Sequence, residues 1–335
     1  MTILGASGFI GSAVMSILAE RPIRLRAVAR GEVRAPAGAR AEVEPVQVDI
    51  TDPAQLAAAV AGSDAVLHLV AYIAGDGAWR AGEGTDARSR TNVGSVHALI
   101  DALADDGGRP TVVFAGSTSQ VGLSDRVRID GTEPDDPRTE YDRQKLEGEN
   151  ALKDATARGV LRGITLRLAT VYGIGPDPGA LGRGIVLAMA RRALAGEPLT
   201  MWHDGSVERD LVHVTDVARA FVAALDNADA LAGGHWLIGG GESRPLKDIF
   251  GVIAQAVSAE TGQPPVPVLS VPAPDYANAT DFHGVDVDAS AFRAATGWSP
   301  RVSLEDGLRG AVAAVAGRRE SGRREPGPLE SGRRE

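Results

Sequence analysis

The chain has 335 residues, no cysteine and a formal net charge of −9, with 44% hydrophobic and 24% charged residues. These values are typical of a water-soluble globular protein; the lack of cysteine excludes disulfides and thiolate metal sites, and the negative charge disfavours a nucleic acid or an anionic membrane as the main partner. Because no apolar stretch reaches the ~20 residues of a bilayer span and no secretory signal is recognisable, we expect a cytoplasmic protein.

Short apolar strands and amphipathic helices alternate along the first 170 residues. The predicted strands are residues 3–4, 25–29, 43–48, 65–70, 111–115 and 163–168, and the predicted helices are residues 9–20, 53–60, 92–103 and 140–157. This alternation predicts an α/β fold with a doubly wound parallel sheet of the Rossmann type.

The pattern loosens after Tyr172. Residues 173–184 are rich in Gly and Pro and predict a loop over a site. We interpret residues 171–209 and 236–316 as a smaller C-terminal substrate lobe, with a segment near 210–235 returning to the main domain of residues 1–170. Residues 317–335 are charged, contain Glu-Ser-Gly-Arg-Arg-Glu twice from residue 320 onward, and predict a disordered tail.

A glycine-rich turn connects the first strand to the first helix. Glycines at this turn let the backbone approach a pyrophosphate, and the helix N-terminus supplies N–H donors. An ordinary strand-to-helix turn is the alternative, but the strand-turn-helix context favours a dinucleotide site. The residues expected to bind it are Gly5, Ser7, Gly8, Phe9, Ile10 and Gly11.

The ends of the next three strands supply further cofactor candidates. Arg30 ends the second strand, where an arginine can pair with a 2′-phosphate, so NADPH is favoured over NAD; a plain surface arginine is the alternative. Asp49-Ile50 ends the third strand, where an acid can accept from the adenine amino group. Val70-Ala71 ends the fourth, beside the expected ribose and nicotinamide path.

Three side chains carry the expected chemistry. Tyr141 and Lys145 are four residues apart on one face of a predicted helix, where the ammonium would lower the phenol pKa and hold the cofactor ribose. Ser117 follows the fifth strand, where a hydroxyl can donate to a substrate carbonyl. Thr118 and Ser119 compete with Ser117 for that role, since hydroxyls also serve turns.

Together these residues resemble the extended short-chain dehydrogenase/reductase family, also described as the NAD-dependent epimerase/dehydratase family. The resemblance extends to residues 91–94, 166–173, 209–218 and 296–300. It implies that Ser117, Tyr141 and Lys145 are catalytic and that Asn92 contacts the cofactor. It further implies that substrate is bound by Ser117, Thr118, Thr170 and Arg209, the arginine pairing with a diphosphate.

Residues 114–122 and 201–205 resemble the 4-ketoreductases of actinomycete deoxysugar pathways. This implies NADPH-dependent reduction of the C4 ketone of a nucleoside-diphospho-4-keto-6-deoxyhexose. Dehydratases of the family carry Asp-Glu where this chain has Thr118-Ser119, so dehydration is disfavoured. Thr170 stands where many relatives have Asn, and Val121 where many have Tyr, which leaves the substrate open.

Two other functions stay open. One is a nucleotide-sugar 4-epimerase with bound NAD, and the other is a non-catalytic protein that senses a dinucleotide on the same fold. The resemblance also implies a homodimer through the helices at Asn92 and Tyr141. We expect a nucleotide-sugar partner, and no nucleic acid, membrane or metal.

Overall fold

The computed structural model describes residues 1–72, 87, 89–105, 107–176, 184–275 and 277–320. The strands are β1 (Thr2–Leu4), β2 (Arg24–Ala29), β3 (Glu42–Gln47), β4 (Ala65–His68), β5 (Thr111–Ser117), β6 (Arg128–Ile129), β7 (Arg162–Leu168), β8 (Thr170–Tyr172), β9 (Leu199–Trp202), β10 (Glu208–His213), β11 (His235–Ile238), β12 (Ser243–Pro245), β13 (Val268–Val271) and β14 (Asp286–Val287).

The helices of the described residues are numbered in chain order as well. They are α1 (Phe9–Leu18), α2 (Pro53–Val60), α3 (Ser95–Asp105), α4 (Glu140–Ala157), α5 (Ile185–Leu194), α6 (Val214–Asp226), α7 (Ala228–Leu231), α8 (Leu246–Thr261), α9 (Ser290–Thr296) and α10 (Leu304–Glu320). A π-helical turn (Arg90–Gly94) precedes α3, and 3₁₀ turns cover Thr118–Val121 and Ala279–Phe282.

Seven parallel strands form the central sheet, in the order β11-β7-β5-β4-β1-β2-β3. This order confirms the predicted doubly wound sheet. Both faces are covered, which is why β5 is buried along its length up to Ser117. Strand order reverses between β1 and β4, and a ligand of such a sheet lies at the carboxyl ends of the strands on either side of this point.

Helices cover the sheet as two layers. On one face α1 packs against α6, whose buried Val217, Phe221 and Ala224 recur at helical spacing. On the other face α2 packs against α3, and α3 packs against α4. Each face encloses its own apolar cluster, so the sheet is the middle layer of three.

A second, smaller unit follows the central sheet. Helices α5, α8 and α10 pack on one another around a separate core that includes Leu187, Phe250 and Leu308. Its small sheets pair β10 with β8 and β12, and β9 with β13. None of the helices in the described residues is both long enough and apolar enough to cross a membrane.

The structure differs from the sequence-based expectation at both ends of this unit. The strand that returns to the central sheet is β11, which begins at the end of the expected 210–235 segment and runs beyond it. Strand β10, which overlaps the start of that segment, pairs with β8 and β12, whereas helix α6 within the segment packs against α1 of the main domain. The expected tail also begins too early, because α10 continues to Glu320; a helix can extend for a turn past its last buried residue, Ala316, without further apolar contacts. Residues 321–335, and residues 177–183 of the expected loop, lie outside the described part of the chain.

Candidate active site

The glycine turn holds strand β1 and helix α1 in close contact. Gly5 has a φ of +91°, and its carbonyl accepts a hydrogen bond from Gly8 N at 2.9 Å. A Cβ on Gly11 would lie 2.0 Å from the Gly5 oxygen, so only glycine fits there. Gly8 is the N-cap of α1 and makes no side-chain cap, which leaves the first-turn N–H groups to an anionic ligand.

Replacing Gly11 by alanine is expected to destabilise the protein and weaken dinucleotide binding by about tenfold or more, although alanine is the better helix former by about 1 kcal/mol. The Cβ must push the Gly5 carbonyl away from its place in the turn. Gly251→Ala, inside α8 where a Cβ meets nothing within 4 Å, is the matched control and should stabilise. Thermal unfolding and fluorescence titration with NADPH measure both effects; equal behaviour of the two variants would contradict the steric argument.

A groove of about 450 Å³ opens beside this turn at the carboxyl ends of β1 to β4. It contains most of the residues expected to bind a dinucleotide: Gly5, Ser7, Gly8, Arg30, Asp49, Ile50, Val70 and Ala71. The remaining turn residues Phe9 and Ile10 pack against the core cluster under α1. Ten further lining residues were not predicted to bind it, and those with polar side chains are Thr51, Tyr72, Arg90 and Thr91.

One end of the groove combines a carboxylate and a guanidinium. Asp49 Oδ1 accepts hydrogen bonds from Thr51 N at 3.0 Å and from Thr51 Oγ1 at 2.8 Å. These bonds hold the pKa of Asp49 below its ordinary value, and the nearby charge of Arg30 acts in the same direction. Arg30 is exposed at the end of β2. An acceptor and a cation are therefore available to one ligand.

Asn92 lies behind the groove wall. It is fully buried, accepts from Tyr72 N at 2.7 Å and donates to Gln144 Oε1 at 2.8 Å. These bonds tie the wall residue Tyr72 to helix α4. In this structure Asn92 therefore positions the groove wall, which the sequence did not reveal because Gln144 is 52 residues away.

Ser117 is held by two features of the 3₁₀ turn that follows β5. Its backbone N–H donates to Gln120 Oε1 at 2.9 Å, and its Oγ lies 2.7 Å from Ser119 Oγ. Gln120 in turn donates to Glu149 Oε2 at 3.0 Å. Gln120 was missed in the sequence, although Ser-x-x-Gln from residue 117 is the pattern of a capping box.

Helix α4 begins after the capping residue Thr139 and carries Tyr141 and Lys145. The Lys145 ammonium is buried, donates to the Ala115 carbonyl at 2.8 Å and lies 5.8 Å from the centre of the Tyr141 ring. Burial lowers the pKa of Lys145 to about 7. Burial also raises the pKa of Tyr141, and the charge of Asp142 adds to this. The expected lowering of the Tyr141 pKa by Lys145 is thus not found, because the ammonium faces Ala115.

Lys145→Met is expected to stabilise the protein by about 2 kcal/mol near pH 7. The buried ammonium is unfavourable, and its pKa falls from 10.5 to about 7, so between these values the unfolded chain binds a proton that the folded chain does not. Wild-type stability should therefore rise with pH across this window, and the gain of the variant should shrink.

Urea unfolding at several pH values measures this gain. Lys153→Met is the control on the same helix, and it should destabilise, because Lys153 Nζ pairs with the buried Glu149 at 2.6 Å. A Lys145→Met variant less stable than wild type at pH 7 would show that burial of this charge has no net cost.

The two threonines expected to bind substrate have different surroundings. Thr118 donates its hydroxyl proton to the Leu168 carbonyl at 3.2 Å, so this hydroxyl serves the contact between β5 and β7. Thr170 is exposed at the start of β8. Of the two, Thr170 is the one that offers its side chain to a ligand.

Arg209 lies at the junction of β10 and the turn at Ala279–Phe282. Its Nη1 donates to the carbonyls of Glu208 at 2.9 Å and His283 at 2.8 Å, and its Nη2 donates to that of Asp281 at 2.6 Å. Burial lowers the pKa of Arg209, which is a cost that an anionic ligand would offset.

Strand β5 and helix α4 bring the chemical groups together. Lys145 bonds to Ala115 on β5, and Ser119 beyond β5 bonds to Asp142, the neighbour of Tyr141. A phenol, an ammonium and a serine hydroxyl thus lie on two neighbouring elements, and Asn92 joins helix α4 to the groove wall at Tyr72. This arrangement can supply a proton and a second hydrogen bond to an oxygen that changes between ketone and alcohol.

Known proteins share this architecture. The model of the NAD-dependent epimerase/dehydratase family matches residues 1–239. A D-erythronate dehydrogenase from Cupriavidus necator is 30% identical over 241 residues, which cover 69% of this chain and 72% of the relative. A dTDP-6-deoxy-L-talose 4-dehydrogenase (NAD(P)(+)) from Kitasatospora kifunensis is 28% identical over 325 residues, covering 92% of this chain and 93% of the relative.

A solved UDP-glucose 4-epimerase from Stenotrophomonas maltophila, with bound NAD and formylated UDP-arabinopyranose, superimposes with a TM-score of 0.79. It is 26% identical, and the match covers 95% of this chain and 98% of the epimerase. The motifs, the groove and these similarities agree on one conclusion: the chain belongs to the NAD-dependent epimerase/dehydratase family.

Proposed function

We propose that the protein reduces the C4 ketone of a nucleoside-diphospho-4-keto-6-deoxyhexose with NADPH. The observation that carries the proposal is the contact between the end of β5 and helix α4, which bear Ser117 and the pair Tyr141 and Lys145, with hydroxyls at 118 and 119 where a dehydration would need an acid and a base. The similarity to the dehydrogenase that acts at C4 of a TDP-linked 6-deoxyhexose supports the same carbon.

The groove suits a dinucleotide on structural grounds. The turn at Gly5 and Gly11 leaves no room for a Cβ, and the first turn of α1 presents backbone N–H groups. These features would hold the pyrophosphate, while Asp49 and Arg30 would hold the adenosine end. When bound, the reduced nicotinamide supplies the hydride.

The protein's own residues complete the reaction. Tyr141 donates its phenolic proton to the C4 oxygen, so that ketone, hydride and proton give a secondary alcohol. The raised pKa of Tyr141 keeps the phenol protonated at neutral pH, so the proton is present for transfer. Lys145, on the same helical face, holds the cofactor ribose, and Ser117 makes a second hydrogen bond to the same C4 oxygen once its hydroxyl turns away from Ser119.

The decisive experiment follows NADPH absorbance, with NADH in parallel, on enzymatically prepared TDP-4-keto-6-deoxyglucose. Rapid NADPH oxidation with formation of a reduced TDP-sugar is the expected result. No oxidation with either cofactor on this ketone or on further-deoxygenated 4-keto-sugars would overturn the proposal.

A nucleotide-sugar 4-epimerase is the second candidate, favoured by the similarity to the Stenotrophomonas epimerase over 95% of this chain. An epimerase would consume no net NADPH and would retain NAD through purification. Mass spectrometry of the nucleotide released by denaturing the purified protein separates the two functions.

Arg30→Ser is expected to raise the KM for NADPH about tenfold and leave that for NADH within about twofold, because a charge-assisted contact to the 2′-phosphate is lost. Arg34→Ser is the control, since Arg34 is exposed and pairs with Glu32 at 3.1 Å. An equal change of KM for both cofactors would show that Arg30 does not determine which cofactor is used.

We also propose a homodimer through the helices at Asn92 and Tyr141. The outer face of α3 and α4 forms a shallow groove whose lining includes His97, Arg143 and Leu146. Light scattering on the eluting protein tests this proposal, and a monomer at micromolar concentration would refute it.

A further inference from the structure

A chain of hydrogen bonds leads from Ser117 to a buried carboxylate. Ser117 Oγ lies 2.7 Å from Ser119 Oγ, and Ser119 Oγ in turn bonds to Asp142 Oδ1. Asp142 directly follows Tyr141 and is only 4% exposed. Neither Ser119 nor Asp142 takes part in the reaction proposed for this protein, yet Ser119 contacts Ser117 and Asp142 contacts Ser119.

The acceptors in this chain determine where its protons lie. Asp142 Oδ2 accepts from Thr139 N at 3.1 Å and from Thr139 Oγ1 at 2.7 Å, so both carboxylate oxygens act as acceptors. Ser119 has one hydroxyl proton, which it donates in its hydrogen bond to Asp142. Ser117 must therefore donate its own proton to Ser119. Because Ser119 N also donates to Ser117 Oγ at 3.3 Å, Ser117 keeps only acceptor capacity for a ligand.

We propose that Asp142 and Ser119 are positioning residues that make Ser117 a hydrogen-bond acceptor toward the ligand, so that the site favours a hydroxyl over a carbonyl at the reacting carbon. A hydroxyl can donate to Ser117 and accept from Tyr141, whereas a carbonyl can only accept. A bound ketone can accept a hydrogen bond from Ser117 only after the Ser117 hydroxyl breaks its hydrogen bond to Ser119. The inference rests on the proposed function. It adds that the alcohol product binds more tightly than the ketone substrate, so the product inhibits the reduction.

Asp142→Asn reverses the direction of the hydrogen bonds that run from Ser117 through Ser119 to residue 142. The Thr139 N–H still needs an acceptor, so the amide oxygen stays on that side and the amide NH₂ turns to Ser119 as a donor. Ser119 then donates to Ser117, and Ser117 donates to the ligand. Ser119→Ala frees the same proton by removing its acceptor, and Ser119→Thr restores the hydroxyl. Thr139→Ala is the control, since it removes a cap of α4 and leaves the bond from Ser119 to Asp142 in place.

The experiment measures Kd by calorimetry in complexes that cannot react: TDP-4-keto-6-deoxyglucose with NADP, and the isolated reduced TDP-sugar with NADPH. The Kd for the ketone divided by the Kd for the alcohol should fall about tenfold in Asp142→Asn and in Ser119→Ala. A factor of about ten corresponds to one hydrogen bond. Ser119→Thr should keep the wild-type ratio, and Thr139→Ala should lower the thermal midpoint without changing the ratio.

The outcomes separate the two proposals. A wild-type enzyme that reduces the ketone, with folded Ser119→Ala or Asp142→Asn variants whose ratio does not change, overturns this inference and leaves the proposed function standing. A shift of the ratio in Thr139→Ala as large as in Ser119→Ala also overturns it, because general loosening of α4 would then be the cause. A wild-type protein that neither reduces the ketone nor binds it refutes both.

Discussion

Tyr141→Phe is expected to lower kcat for the proposed reduction about 10³-fold while the Kd for NADPH stays within about twofold. The substitution keeps the ring and its place on α4 and removes only the proton that the C4 oxygen receives. Because burial raises the pKa of Tyr141, the phenol should stay protonated through neutral and mildly alkaline pH. Steady-state kinetics and fluorescence titration of NADPH give the two numbers.

Tyr172→Phe is the matched control, since it removes a phenol whose oxygen lies 3.4 Å from the Leu304 carbonyl, in the smaller unit. It should retain turnover. If Tyr141→Phe kept most of the wild-type turnover, the assignment of Tyr141 as the proton donor would be wrong, and the function proposed above would lose its chemical basis.

Glu149→Gln is expected to lower the free energy of unfolding by about 4 kcal/mol. Glu149 is fully buried and accepts two hydrogen bonds from Arg167, from Nη2 at 2.8 Å and from Nε at 2.9 Å. It also accepts from Lys153 Nζ at 2.6 Å and from Gln120 Nε2 at 3.0 Å. His235 Nδ1 lies 3.0 Å from the same carboxylate. With an amide at this position, the buried guanidinium of Arg167 keeps only the partly buried carboxylate of Asp135, at 2.7 Å, as a counter-charge among the contacts described for it. A fall in the thermal midpoint of about 6 °C should result.

The same residue predicts the response to acid. Burial alone would raise the pKa of Glu149, but hydrogen bonds from His235, Arg167 and Lys153 outweigh burial and hold it well below its ordinary 4.5. A lowered folded-state pKa contributes stability above pH 4.5 that is lost as the pH falls below this value. Urea unfolding between pH 3 and 7 should show a steeper loss in wild type than in Glu149→Gln.

Glu147→Gln is the control for both measurements, because Glu147 is exposed on the same helix and lies 3.7 Å from His97. Its effect should stay within about 0.5 kcal/mol. If the two variants were equally stable, the buried network would contribute nothing beyond a surface pair. Since Glu149 orients Gln120, which holds Ser117 N, a loss of turnover in Glu149→Gln is expected as well.

Local requirements made the first part of this fold predictable. The bounds predicted for α4 agree with the structure because its start is set by a threonine cap in the sequence itself. The glycine turn was predictable for the same reason, since the contact between Gly5 and Gly11 lies within one strand-turn-helix unit. Ends of elements were less predictable: α1 ends at Leu18, two residues early.

Contacts between distant residues were not predictable. Lys145 meets Ala115 from 30 residues away, and Arg209 meets the carbonyl of His283 from 74 residues away. The sequence spacing suggested an ammonium beside the Tyr141 phenol, but the neighbouring strand provides a closer acceptor. The tail boundary was wrong for a related reason, because apolar residues mark the buried part of a helix and not its end.

The sequence by itself determined the sheet type and the glycine turn between β1 and α1, because periodicity and glycine sterics are properties of short segments. Only the tertiary structure decided the hydrogen-bond partners of Ser117, the burial of Lys145 and the contacts of Asn92. Hydrogen-bond direction and desolvation depend on which strand and helix pack together, and the chain reaches that packing only when distant segments meet.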